Sequence, residues 1–467
     1  MVFSSLFFLY AFLPVCLIIY FCTKSVPGRN AVLLFFSLVF YAWGEPVGIW
    51  ILIASAFASY RCALALNKNK GQPSEKVILA VSIVLALVPL ILFKYTGFFT
   101  ENINALFSVN IPVPNIRLPI GISFYTFQII SYNIDCYWGE VKPQRAFGNF
   151  LMYVSLFPQL VAGPIVRYGV IAEEIKSRQT TAADLDTGLT RLVTGLAKKV
   201  ILANGLSVIV DELFINGDIK TLTVVGTWYA VIAYALQIYF DFSGYSDMAI
   251  GLGRILGFHF DENFNHPFIC KDITEFWQRW HISLGSFFRD YLFYVETFGK
   301  IRPYFNLILV WFCTGIWHGA SWNYIFWGLY FGLFILLETK IGKKKMKKIP
   351  IIWRHIYNKT VIVIGFGIFC FEDLGQLGNF FKNLIFLNGN AFIDELTVIH
   401  ISNNLFLMIA SVLFCFPVLK LFKRNSRYEY SSKFWSFVRI AVNVILLAVS
   451  SVLLVNNTNN PFMYFRF

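Results

Sequence analysis

The sequence predicts an all-α, polytopic transmembrane protein, and three observations lead there. Of 467 residues, 57 % are apolar by the set AVILMFWYC and only 14 % are charged. A soluble domain carries roughly 25 % charged residues, so this chain cannot cover a water-facing surface with polar groups. Apolar runs near the roughly 20 residues needed to span a bilayer recur along its whole length, and the mean hydropathy is +0.63. Finally, its basic residues gather in short runs between the apolar ones, as in cytoplasmic loops. Disorder, coiled coil, collagen and a disulfide mini-scaffold are excluded by the same composition. The 51 Phe and 12 Trp suit lipid contact and interfacial belts.

Taken in order, the clear spans are Val2–Cys22, Val47–Leu66, Val77–Lys94, Leu405–Leu421 and Phe434–Val455. Shorter or polar-interrupted candidates are Ala31–Trp43, Ile120–Cys136, Phe147–Pro164, Val224–Phe240, Tyr304–Trp317, Tyr324–Glu338 and Ile356–Phe371. Together they predict about 10–12 membrane crossings. Between Arg167 and Lys199, Leu, Val and Ile alternate with Lys and Arg at helical spacing, which predicts an amphipathic interfacial or re-entrant helix. No repeat of fixed period is present. One integral-membrane domain over residues 1–467 is expected, with its polar motifs in 119–323 and a tail at 456–467.

Charge bookkeeping sets the orientation. Lys24 and Arg29 place the first loop inside, so the N-terminus is outside. Two more crossings return to the Lys-rich loop Asn67–Lys76. The basic runs Lys343–Lys348 and Lys423–Lys433 are separated by two crossings, so both can be cytoplasmic, and the last span carries the C-terminus outside. The formal charge of +13 therefore speaks for loops and anionic headgroups rather than for nucleic acid. The eight cysteines are scattered, with no CxxC, and read as small apolar residues rather than a zinc or disulfide framework. No cleavable leader is expected, because Val2 opens the first apolar run with no basic residue before it.

Ionisable groups at membrane depth are costly, and each is a functional-site hypothesis. They concentrate between Gln237 and Asn323. Tyr239–Asp247 brings two carboxylates, Asp241 and Asp247, directly after an apolar span, with Gly244, Gly251 and Gly253 permitting close backbone approach. Paired carboxylates could do acid–base work or bind a cation; capping or salt-bridging neighbouring helices is the plainer alternative. In Ile273–Tyr291, a continuous helix would make Glu275 and Arg279 i,i+4 partners with Ser283 continuing their face. Trp277, His281, Leu284 and Phe288 would form another face, where His281 is either a satisfied core group or part of a binding site. The third cluster, Trp311–Asn323, sets His318 between two apolar half-runs beside small residues. An imidazole there is either structural or a base able to take a hydroxyl proton. Cys313 is a poor partner for it, since five residues turn it about 140° away on a helix.

Five motifs in order carry a resemblance: Pro119–Gln128, Phe157–Pro164, Tyr239–Met248, Phe276–Leu284 and Trp317–Trp322. Over essentially the whole chain the sequence resembles the membrane-bound O-acyltransferase (MBOAT) family. It is most similar to the bacterial branch of the alginate O-acetyltransferase membrane subunit and the teichoic-acid D-alanyl transferase subunit. The resemblance implies that His318 matches the family's invariant histidine and His281 its second polar position. It implies transfer of a short acyl group, acetyl first, from a cytosolic thioester through a membrane tunnel to a polysaccharide hydroxyl. The donor would be acyl-CoA or an acyl carrier protein, with no bound cofactor or metal. A secreted or membrane-anchored SGNH-type partner outside the cell membrane is implied as well. Chemistry then makes His318 the base and His281 an orienting or stabilising group. Trp277, Arg279, Ser283, Asp290, Trp317, Asn323, Asp241 and Asp247 are expected to bind substrate or support the histidines. The segment Phe293–Lys300 departs from the Ile-Pro-Leu-Gly-Gly pattern of relatives, which bears on donor and partner contacts. Tyr464 in the tail resembles the family's Phe-x-Tyr-Phe-x-Phe terminus. A phenol ester is activated enough to carry the acyl group onward, while an aromatic belt anchor is the simpler alternative. Two rival functions remain: a polysaccharide-precursor transporter or flippase, and a family member acylating a lipid or protein.

Overall fold

The computed structural model describes residues 2–161, 163–296, 299–417 and 433–455. Among them the regular structure is helical throughout. Six helices are long and apolar enough to cross a membrane: Val26–Gly44, Gly48–Lys68, Ser74–Phe107, Ala182–Ile215, Trp322–Ile341 and Phe434–Val455. Glu395–Asn403 and Leu405–Phe414, bent by 57°, make up to seven if they form one span. Candidates such as Leu13–Cys22, Ile122–Trp138, Pro303–His318 and Ile351–Cys370 are helices too, but shorter or more polar. The polytopic all-α expectation stands on these elements.

Two compact units account for the chain, and both draw on discontinuous segments. Of the described residues, the first comprises 2–161, 163–192 and 245–262. Inside it, Ile122–Trp138 is buried around nearly its whole circumference. Its polar residues are absorbed locally, as where Asn133 Nδ2 donates to Ser59 Oγ at 2.9 Å. Gly121 precedes this helix at φ 77°, and a Cβ there would lie 2.7 Å from the Leu160 carbonyl oxygen. Only glycine meets both conditions. Phe3, Phe8, Phe12, Phe40 and Phe157 of the same unit pack ring to ring.

Two expectations are corrected by these elements. Phe147–Pro164 is no crossing: it divides into Phe147–Ser155 and Phe157–Leu160. Pro158 lies at the start of the second piece, and Phe157 N–H is tied to Ser37 Oγ at 3.1 Å. Nine helical residues reach only about 14 Å. The charged stretch Arg167–Lys199 is likewise no single interfacial helix. It forms Tyr168–Lys176 and then opens a 34-residue helix, Ala182–Ile215, that qualifies as a span. The apolar run that follows Lys199 continues the helix past its charged beginning.

Of the described residues, the second unit holds 193–244, 263–296, 299–417 and 433–455. Its centre is a hairpin of Pro303–His318 and Trp322–Ile341. A Cβ on Gly328 would stand 2.3 Å from Trp311 O, and one on Gly315 2.4 Å from Tyr324 O. The two backbones meet because neither position carries a side chain. The helix expected across Ile273–Tyr291 is broken: Ile273–Trp277 stops, Gln278 to His281 turn, and Ile282–Phe288 begins anew.

Candidate active site

His281 sits at that break in the left-handed region, φ 46° and ψ 54°, a conformation uncommon outside glycine. The segment Asn263–Asn265 clips it from the side. Asn263 O accepts from Ile282 N–H at 2.9 Å, and Asn265 N–H donates to Arg279 O at 2.9 Å. Asn263 Oδ1 then accepts from Ser283 N–H at 3.2 Å and Ser283 Oγ at 2.9 Å, and lies 3.1 Å from His281 Nδ1. Asn263 is wholly buried and His281 is 2 % exposed. Burial pushes the His281 imidazolium pKa down, which keeps the ring neutral. Its Nε2 is buried without a hydrogen-bond partner among the described residues.

His318 ends the helix Pro303–His318 and is also buried. Its ring meets Trp317 at 4.9 Å, Trp327 at 4.8 Å and Phe369 at 5.3 Å, near edge to face in each case. Trp317 also lies 6.0 Å from His281, so one indole neighbours both imidazoles. Gly319 follows in extended backbone, where a Cβ would overlap the Tyr324 ring. Asn323, one turn on, donates to the carbonyls of Ile368 and Phe369 at 3.3 and 3.2 Å.

A cavity of about 530 Å³ reaches His281, walled by Trp277, Leu284, Phe288, Trp311 and Thr314. A second, about 620 Å³, is lined by Lys271, Lys343, Lys347 and Arg354 and by the carboxylates Asp272, Glu275 and Glu338. Thr274 and Gln278 line both. Glu338 shapes the polar one: it accepts from the N–H groups of Ile273 and Thr274 at 2.7 and 2.8 Å. An apolar chamber lined in part by an imidazole thus adjoins a charged, lysine-rich one.

The other expected residues divide. Glu275 and Arg279 pair at 2.9 Å as the spacing requires. Ser283, however, leaves their face and joins Asn263. Trp277 is not on a helical face with His281; it packs on Trp311 at 4.7 Å and Phe331 at 4.9 Å as cavity wall. Asp241 pairs with Lys199 at 2.6 Å and Asp247 with Arg191 at 2.9 Å, so the salt-bridging alternative holds and the two carboxylates do not share a site. Asp290 pairs with its neighbour Arg289 at 2.7 Å. No three acidic, His or Cys side chains could hold a metal among the described residues. All eight cysteines are unbridged. Tyr464 lies outside the described residues. Sequence reasoning passed over Asn263, Glu338 and the lysines of the polar cavity; the polar run Asp261–His266, flanked by apolar chain, was the available signal for the first.

Comparison with known proteins agrees with the motifs. Residues 143–372 match the model of MBOAT, the membrane-bound O-acyltransferase family. The probable alginate O-acetylase AlgI of Pseudomonas putida is 34 % identical, with 100 % of both chains covered. The chain belongs to the membrane-bound O-acyltransferase family. The peptidoglycan O-acetyltransferase of Helicobacter pylori is 28 % identical over 100 % of this chain and 98 % of its own. The teichoic acid D-alanyltransferase of Bacillus subtilis is 29 % identical over 69 % and 81 %. As an MBOAT member with several spanning helices, the chain is a multi-pass membrane O-acyltransferase.

Proposed function

We propose that this acyltransferase moves a short acyl group, acetyl foremost, from a cytosolic thioester to a hydroxyl of an exopolysaccharide or cell-wall polymer. The observation that carries the reading is the pair of adjoining cavities: a charged chamber whose three lysines and Arg354 outnumber its three carboxylates, beside an apolar one that reaches His281. The relatives' names supply the acceptor class, since alginate, peptidoglycan and teichoic acid are all surface glycopolymers. The basic run Lys343–Lys348 puts the polar chamber on the cytoplasmic side by the charge rule. Both termini are then extracytoplasmic, in the plasma membrane.

In the first transfer the Tyr464 phenol oxygen bonds to the acyl carbon and the carbon–sulfur bond breaks. His318 takes the hydroxyl proton and returns it to the leaving thiolate, while His281 orients the donor. Coenzyme A or an acyl carrier protein presents the thioester. A hydroxyl of an SGNH-type partner outside then bonds to the acyl carbon, the tyrosyl ester bond breaks and Tyr464 regains its proton; the partner passes the acyl group to the polymer, so one difficult transfer is split into easier ones. A transporter for a polysaccharide precursor would need no thioester at all.

The test uses the full chain in membrane vesicles with labelled acetyl thioester. His318→Ala should insert normally and lose transfer to a few per cent of wild type or less. Transfer near the wild-type rate in that variant would remove the base assignment, and absence of any label transfer by the wild type would favour transport.

A further inference from the structure

The clip around His281 fixes which of its nitrogens carries the proton. Ser283 N–H is an obligatory donor, so the Asn263 atom that receives it is the amide oxygen and not the nitrogen. That same oxygen lies 3.1 Å from His281 Nδ1. Oxygen has only lone pairs to offer, so Nδ1 must hold the hydrogen. In the neutral ring Nε2 is then a bare acceptor, and it is buried with no partner among the described residues. His281 lines the apolar cavity, and Nε2 is the one hydrogen-bonding position its ring has left.

An acceptor in an apolar wall selects a ligand that brings an N–H or O–H. The thioester and the acetyl group bring neither. The pantetheine arm common to coenzyme A and carrier proteins does: its amide N–H stands two methylenes from the sulfur. An arm threaded from the lysine-rich chamber past Thr274 and Gln278 would carry that amide into the chamber of His281. We propose that His281, held by Asn263 as the Nδ1–H tautomer, accepts a hydrogen bond from the pantetheine amide of the donor. His281 is then a specificity-determining residue, and Asn263 is the positioning residue behind it. This rests on the thioester-donor reading and extends it to a named recognition group.

The experiment compares acetyl-CoA with an analogue whose amide nearest the sulfur is an ester, which exchanges N–H for O and keeps the shape. Both are offered as free CoA thioesters and, loaded by a phosphopantetheinyl transferase, on a carrier protein, so the two arms also separate the donor sources. Thiol release by membrane vesicles holding the full chain is the readout. The wild type should prefer the amide by about tenfold or more in kcat/KM, because the analogue leaves a buried acceptor unpaired. In Asn263→Leu and His281→Phe the preference should fall to about one. Asn263→Asp keeps an oxygen for Nδ1–H and should retain it, an outcome that a merely structural asparagine does not produce. Equal rates for both donors in the wild type overturn the proposal without needing any variant to fold. Failure to cleave either thioester in either form overturns the thioester-donor reading instead.

Discussion

Asp241 holds its carboxylate 2.6 Å from Lys199 Nζ, and both side chains are 3 % exposed. Truncating one partner strands the other charge, so Asp241→Ala should destabilise by about 3–5 kcal/mol. Replacing the pair together, Lys199→Met with Asp241→Leu, leaves no stranded charge and should restore most of that loss. Thermal unfolding of detergent-purified protein measures both. The activity of the double variant then decides whether Asp241 has a chemical part: a folded but inactive double variant would return it to the reaction. The two histidines should also separate. His281→Ala removes the proposed donor contact and is expected to be milder than His318→Ala, with label transfer in vesicles as the measure; equal severity would end the division of labour. At this scale the sequence was readable where partners are near in the chain, as for Glu275 and Arg279. It was silent on Asn263 because that partner lies 18 residues from His281 and is brought there only by folding.

Between elements, the hairpin of Pro303–His318 and Trp322–Ile341 positions both His318 and the cavity wall. Gly328 allows the contact, since a Cβ there would stand 2.3 Å from Trp311 O. Gly328→Leu should force the helices apart, cost at least about 3 kcal/mol, and move Trp311 away from Trp277. Gly378, in the helix Leu374–Leu384, has open space where a Cβ would go, so Gly378→Ala is the matched control and should be neutral or slightly stabilising. Loss of folded material on size exclusion for the first variant only is the expected result; equal behaviour of the two would mean the close approach is dispensable. Helices were legible here because long apolar runs admit little else in a bilayer. Their interruptions were not. Ile273–Tyr291 has good helical spacing, and what breaks it is the hydrogen bonding of Asn263 and Asn265 to its backbone, a tertiary effect that local pattern does not contain.

For the molecule as a whole, the spanning helices and the basic loops make sidedness the sharpest test. A CoA or carrier-protein thioester is highly charged and does not cross lipid, so its chamber must open on the side where it is made. The lysines that line the polar cavity, Lys271, Lys343 and Lys347, include part of the basic run that the charge rule places in the cytoplasm. Inside-out vesicles supplied with external labelled acetyl thioester should therefore transfer label, and sealed right-side-out vesicles should not until they are permeabilised. On the proposed reading the polymer acceptor is on the opposite face, so label in the inside-out preparation should accumulate in the lumen and resist an added external deacetylase. Lys343→Glu with Lys347→Glu tests the same route from the protein side. Reversing two charges in the chamber should raise KM for the thioester about tenfold or more with a smaller change in kcat, and the effect should shrink as salt screens the phosphates. Transfer by intact right-side-out vesicles, or a double variant with unchanged KM, would place the donor elsewhere and take the lysine-rich chamber out of the reaction.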